Sequence, residues 1–259
     1  MRADFGLDVQ ANFHPLGFRY GPGVMGPEPE VRTLDAIRPS LRDPGCSGPD
    51  PVYAIAMDVF RPEDRAELDR RQLVFGVVAY AAGGLGREPV RSQGHVHARS
   101  RFSGWSTPEL FEIWQGRAFI YAQEFAADDP GRCIAVDARP GDRVVVPPGW
   151  AHAVVSADTN NPLVFGAWCV SDYGFVYDDL RARGGVAWFP LLHADGSVEW
   201  EPNLRYRTSH IQIRHARQYP ELGLQSEIPL YAHIANAPHS LEWISQPACL
   251  AEVWPTFEP

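Results

Sequence analysis

The chain has 259 residues, a formal net charge of −9 and 45% hydrophobic residues, the composition of a globular protein long enough to bury a full core. The acidic balance argues against nucleic acid or an anionic membrane as partner. All 23 positions in the Lys-plus-Arg total are Arg, which excludes Schiff-base chemistry and a Walker lysine and leaves any anionic substrate to arginine, hydroxyls or backbone amides.

In chain order, residues 1–52 are rich in Pro and Gly and read as an arm around the fold, with one short helix from Thr33 through Leu41. Met1 and Arg2 are followed by acidic and polar residues, not by the apolar run of a secretory leader. No stretch of ~18 apolar residues follows anywhere, so the expected location is the cytoplasm. Residues 51–60 read as a strand, 61–71 as a charged surface helix or turn, and 73–82 as a buried apolar strand. Gly83-Gly84-Leu85-Gly86 reads as a turn; no helical periodicity follows it, so it is not a dinucleotide loop.

Residues 90–97 lead into a strand that carries His95 and His97, and 99–108 form a polar loop. Residues 109–121 read as one long strand broken at Gly116. Further strands are expected over 133–137, 143–147, 151–156 and 163–170, with turns at 128–131, 140–142 and 160–162. Residues 172–181 read as a short helical crossing, and 186–200 as a hairpin around Asp195-Gly196. Past Leu204, Ile211-Gln212-Ile213 alternates as one more strand, and a helix is expected from Ala237 through Ile244. This tail is expected to cover the barrel mouth or to pack on a second subunit. Many short strands at regular spacing predict an all-β sandwich or barrel. The divisions expected are an arm (1–52), a barrel (53–203) and a C-terminal extension (204–259). Cys46, Cys133, Cys169 and Cys249 stand far apart and read as core residues or free thiols.

One constellation carries chemistry. His95 and His97 are two apart, so on a strand both imidazoles point to one face. Glu109 follows after eleven residues, and six more separate it from Gly116. His152 closes the stretch Gly141-Asp142-Arg143-Val144-Val145-Val146-Pro147-Pro148-Gly149-Trp150-Ala151-His152. Three His and one Glu suit a single divalent first-row ion (Fe, Mn, Ni or Zn) with open positions for substrate. Glu109 is preferred to Glu112, which falls on the opposite strand face. His14, His193, His210, His215, His233 and His239 match no motif.

These residues resemble the two cupin motifs. The run Gly94-His95-Val96-His97, then Glu109-Leu110-Phe111, then Pro147-Pro148 and His152 resembles the cupin-type glucose-6-phosphate isomerases. The likeness extends over about residues 26–203. It implies a cupin (jelly-roll) β-barrel, a divalent metal on His95, His97, Glu109 and His152, and a homodimer. The implied activity is aldose–ketose isomerisation of a sugar or sugar phosphate, with Glu109 as ligand, base or both. Tyr53 matches a substrate-facing tyrosine of that family; read alone it is equally a strand aromatic. Three features depart from the family pattern: Phe111 replaces a tyrosine, Phe175 replaces a histidine, and Phe75-Gly76-Val77-Val78-Ala79 lacks the hydroxyls of a phosphate-holding strand. Arg91, Ser92, Gln93 and Arg99 are the candidates to take over that contact. A cupin oxygenase using Fe(II) and a non-catalytic metal- or sugar-binding cupin stand as the alternatives.

Overall fold

The two strands of unbroken apolar sequence, Leu73–Tyr80 and Leu163–Val170, are buried at every position. Burial on both faces requires a layer on each side. They pair antiparallel along their whole length at the centre of a six-stranded sheet. In this computed structural model, which describes residues 5–259, that sheet runs Arg143–Val146, Glu109–Gln115, Leu163–Val170, Leu73–Tyr80, Tyr53–Met57, Glu30–Arg32, every pair antiparallel. Met1 to Asp4, where a leader was sought, lie outside the described residues.

The facing sheet runs Ala151–Ser156, Ala118–Gln123, Cys133–Ala138, Ile211–His215, the last pair parallel. Val78, Phe111 and Phe165 from the first sheet share one buried cluster with Ile120, Ile134 and Val154 from the second. The architecture is all-β, a cupin (jelly-roll) barrel of two facing sheets with a few short helices. Bridges from Arg91 to Val155 and from His95 to His152 attach residues 91–95 to the edge of the smaller sheet.

Both outer faces are covered as well. The hairpin Val9–Phe13/Leu16–Tyr20 and the C-terminal tail lie over the larger sheet, where Tyr231, Trp243 and Phe257 join Phe75, Leu110 and Trp168 in one cluster. Trp168 stacks on Tyr231 with ring centroids 5.6 Å apart, and its Nε1–H donates to the Leu230 carbonyl at 3.0 Å. The hairpin Trp188–Leu192/Val198–Pro202 and the helix Asp178–Ala182 help cover the smaller sheet.

Several expectations change. Residues 109–121 are two strands in different sheets, because the chain turns at Gly116 with φ +80°. A Cβ there would lie 2.8 Å from the Pro162 carbonyl oxygen, so both the turn and the close approach demand glycine. The crossing expected over 172–181 begins with a short strand, Phe175–Val176, paired to Val96–His97; only Asp178–Ala182 is helical. The arm, read as a Pro- and Gly-rich segment with one short helix, contains a hairpin and contributes Glu30–Arg32 to the larger sheet. The helix expected from Ala237 is two short pieces, the 3-10 turn Pro238–Leu241 and the helix Glu242–Ser245. The strand Ile211–His215 of the tail joins the smaller sheet, and from Tyr219 onward the tail packs on the outer face of the larger one. Its apolar positions belong to irregular structure, which carries no period to read. All four cysteines are free, with only Cys249 exposed. Among the described residues no helix is long and apolar enough to cross a membrane.

Candidate metal centre

Backbone pairing sets the positions of the four candidate ligands. His95 and His152 exchange both backbone hydrogen bonds, His95 N–H to His152 O at 3.0 Å and His152 N–H to His95 O at 2.9 Å. The two rings consequently meet edge-on, 4.3 Å apart. His97 lies two residues on, its ring 5.2 Å from that of His95 and nearly parallel to it, as two side chains on one strand face should be. Glu109 opens its strand opposite Val146. From Val146 the turn through Gly149, with φ +82°, carries the chain to His152.

One ligand atom from each of His95, His97, Glu109 and His152 lies within 4.8 Å of all the others. His152 Nε2 is 2.9 Å from Glu109 Oε2, His97 Nε2 is 3.2 Å and His95 Nε2 is 4.0 Å. Nδ1–H of His97 donates to the Thr107 carbonyl at 2.9 Å, and Nδ1–H of His152 to the Trp150 carbonyl at 3.2 Å. These bonds assign the tautomers, leaving both Nε2 lone pairs directed at the carboxylate. Acceptor facing acceptor at such range is repulsive unless a proton or a cation lies between them. His95 Nε2 and His97 Nε2 are also buried without a hydrogen-bond partner, a costly arrangement that a ligand bond removes. The donor set therefore fits a divalent ion.

The ionisation states agree. Burial first, and then the neighbouring His152 and His97, hold His95 well below the ordinary histidine range, so it is neutral. Burial alone would raise Glu109. The imidazoles of His152 and His97, whose Nε2 atoms face it, outweigh burial and hold the carboxyl well below its usual range. Neutral imidazole and ionised carboxylate are the forms that bind a metal.

Glu109 is held from behind. The Cys169 thiol, its pKa pushed well up by burial and by the neighbouring carboxylate, donates to Glu109 Oε1 at 3.2 Å. Cys169→Ala is expected to weaken divalent-ion binding about tenfold by freeing the carboxylate to rotate. Cys169→Ser keeps a donor and is expected to retain most of the affinity. Competition against a chelator measures both, and equal affinity in all three proteins would show that the thiol does not orient Glu109.

The four residues stand beside a cavity inside the barrel. Tyr53, Ser92, Gln93, Phe111 and Phe175 line it together with His95, Glu109 and His152; the Phe175 ring lies 4.4 Å from that of His95. His97 is buried behind the wall. Two sequence candidates fall elsewhere. Arg91 is fully buried, with its guanidinium on Glu88 Oε1 (2.7 Å) and on the Ser40 and Ser92 carbonyls. Arg99 is exposed and donates to the Gly104 carbonyl. Glu112 points to the outer face, where Arg143 and Trp114 Nε1 hold it. Sequence reasoning missed Arg32, Tyr80 and Tyr177, which also line the cavity. No motif marks Arg32, since its strand is only three residues long.

The sequence pattern of the family described as "Glucose-6-phosphate isomerase (GPI)" matches residues 41–208. This chain belongs to that family. Among its relatives, a Rhizobium meliloti (strain 1021) protein named "Putative glucose-6-phosphate isomerase 1" is 30% identical over 160 residues, 60% of this chain and 66% of that one. The glucose-6-phosphate isomerase of Thermococcus kodakarensis is 26% identical over 161 residues, 61% of this chain and 75% of that one. The family match ends at residue 208, near the start of the C-terminal extension, and the chain spans just under two thirds of the first of these relatives. Oxalate decarboxylase from Bacillus subtilis overlaps 48% of this chain and 27% of its own length, at 19% identity and a TM-score of 0.35, too loosely to inform the site.

Proposed function

We propose that this member of the glucose-6-phosphate isomerase family is a metal-dependent aldose–ketose isomerase that interconverts glucose 6-phosphate and fructose 6-phosphate or a closely related sugar phosphate. One observation carries the proposal: a ring nitrogen from each of three histidines and a carboxylate oxygen lie within 4.8 Å of one another beside an otherwise largely apolar cavity. His95, His97, Glu109 and His152 would hold one divalent ion (Fe, Mn, Ni or Zn). Such an ion supplies Lewis-acid polarisation of the sugar carbonyl and the neighbouring hydroxyl.

The chain's own groups do the rest. Ionised Glu109 is the base within reach of a proton moving between adjacent carbons. Tyr53 keeps its proton, because burial and the adjacent Tyr177 raise its pKa well above the ordinary phenol value, so it acts as a hydrogen-bond donor to the substrate, not as a base. Ser92 and Gln93 offer polar contacts along one wall. Phe175 beside His95 and Phe111 beside His152 put rings where the family pattern has polar groups, and excluding water there strengthens every electrostatic contact inside.

The test gives fructose 6-phosphate to metal-stripped protein reloaded with Mn(II) or Fe(II), with His95→Ala as control. Glucose 6-phosphate that appears only with metal, and not with the variant, is the expected result. Absence of product from every metal-loaded form would sink the proposal. The apolar wall of Val78, Phe111 and Phe165 favours one second reading, an Fe(II)-dependent oxygenase, which oxygen uptake by the iron-loaded protein would reveal.

A further inference from the structure

We infer that Arg32, contributed by the N-terminal arm, anchors the anionic end of the substrate, and that Glu30 occupies that anchor until substrate arrives. The inference rests on the isomerase reading for the identity of the anion, a phosphoryl group.

A phosphate entering a chain of net charge −9 needs a local cation. Among the described residues lining the cavity, Arg32 is the only one with a permanent positive charge. The other nearby arginines are committed. Arg91 is closed off by Glu88 and two carbonyls, and Arg181 is bound to Gln93 Oε1 and the Ala36 carbonyl. Arg99 lies outside the cavity.

The position of Arg32 follows from strand register. Arg32 stands directly opposite Tyr53 in the antiparallel pair, so both side chains leave the sheet on its inner face. The hydroxyls of Tyr53 and Tyr177 stand beside the guanidinium. A planar fork flanked by two phenol donors suits a phosphoryl group, which accepts several charge-assisted hydrogen bonds at once.

Arg32 is not idle without substrate. Its Nη1 donates to Oε1 of Glu30, two residues back on the same strand face. The Glu30 side chain is 67% exposed and that of Arg32 only 22%. A pair with so exposed a carboxylate contributes little and is cheaply opened. An incoming dianion competes for the fork from the buried side, and Glu30 swings out to water.

Calorimetric titration of the wild type, Arg32→Gln, Arg32→Lys and Glu30→Gln with fructose 6-phosphate, inorganic phosphate and fructose tests the inference. Arg32→Gln is expected to lose affinity for both phosphates by on the order of tenfold to a hundredfold, with fructose binding unchanged and Arg32→Lys in between. Glu30→Gln is expected to tighten phosphate binding several-fold, a gain that general damage to the fold would not produce. Wild-type affinity of Arg32→Gln for fructose 6-phosphate would overturn the inference, as would wild-type protein that binds neither phosphate. The two proposals fail separately. Isomerisation undiminished in Arg32→Gln removes the anchor and leaves the isomerase, whereas Arg32-dependent phosphate binding without isomerisation removes the isomerase and leaves the anchor.

Discussion

His97→Ala is expected to abolish tight divalent-ion binding and to lower metal-dependent isomerisation on the order of a thousandfold. Charge stabilisation by a bound divalent ion is worth several kcal/mol, and each 1.36 kcal/mol is tenfold in rate. His97 is the most informative of the four ligands because it does not line the cavity. Its side chain is 2% exposed, with Nε2 3.2 Å from Glu109 and Nδ1 on the Thr107 carbonyl. A loss of activity in this variant therefore reports on the metal and not on a lost substrate contact. Metal content by elemental analysis and rate with fructose 6-phosphate are the paired measurements. Full activity with full metal content would show that His97 serves packing alone.

The second large effect concerns Arg91, which on sequence alone competes for the role of phosphate ligand. Arg91→Ala is expected to cost about 3–5 kcal/mol of stability, roughly 6–20 °C in melting temperature. Arg91 and Glu88 side chains are 0% and 2% exposed, so removing one partner strands the other as a buried charge. Glu88 also accepts from the Arg42 backbone N–H, and Arg91 ties down the Ser40 carbonyl. The pair thus clamps the arm to the strand that leads into His95. A double variant, Arg91→Met with Glu88→Leu, is expected to recover most of the loss, because apolar groups of similar volume remove the desolvation penalty together with the pair. Thermal unfolding of the three proteins decides the matter. A single variant that melts within about a degree of wild type would mean that Glu88 reaches water or is neutral there.

The expectations that succeeded are those resting on local repetition. Fully apolar runs such as 73–80 and 163–170 have one reading, a strand buried on both faces. The pair His95 and His97 is placed on one face by the period of two. The Pro-Pro-Gly turn sets where His152 emerges, since Gly149 takes a positive φ that only glycine adopts freely. Glu109 could be preferred to Glu112 because adjacent strand faces alternate, and the structure puts Glu112 on the outer face with Arg143 and Trp114.

Where the reading failed, the deciding contact lies far away in the chain. Residues 109–121 look like one strand because Gly116 interrupts an apolar run without changing its period. Only the approach of Pro162 and the pairing of Ala118–Gln123 with Ala151–Ser156 show that the chain has changed sheets. The tail from Tyr219 onward has no period, since it packs as short turns against an outer sheet face.

The sequence by itself determined the fold class, the family and the grouping of three histidines with one glutamate, because strand period and turn chemistry act between near neighbours. Which arginine faces the cavity was decided only by the tertiary structure. Arg91 and Arg99 sit closest in sequence to the histidines, yet one is consumed by Glu88 and Ser40 and the other lies outside the barrel. Arg32, more than sixty residues before His95, reaches the cavity through its register with Tyr53. The availability of a charged side chain depends on which partners fold against it, and no local pattern encodes those partners.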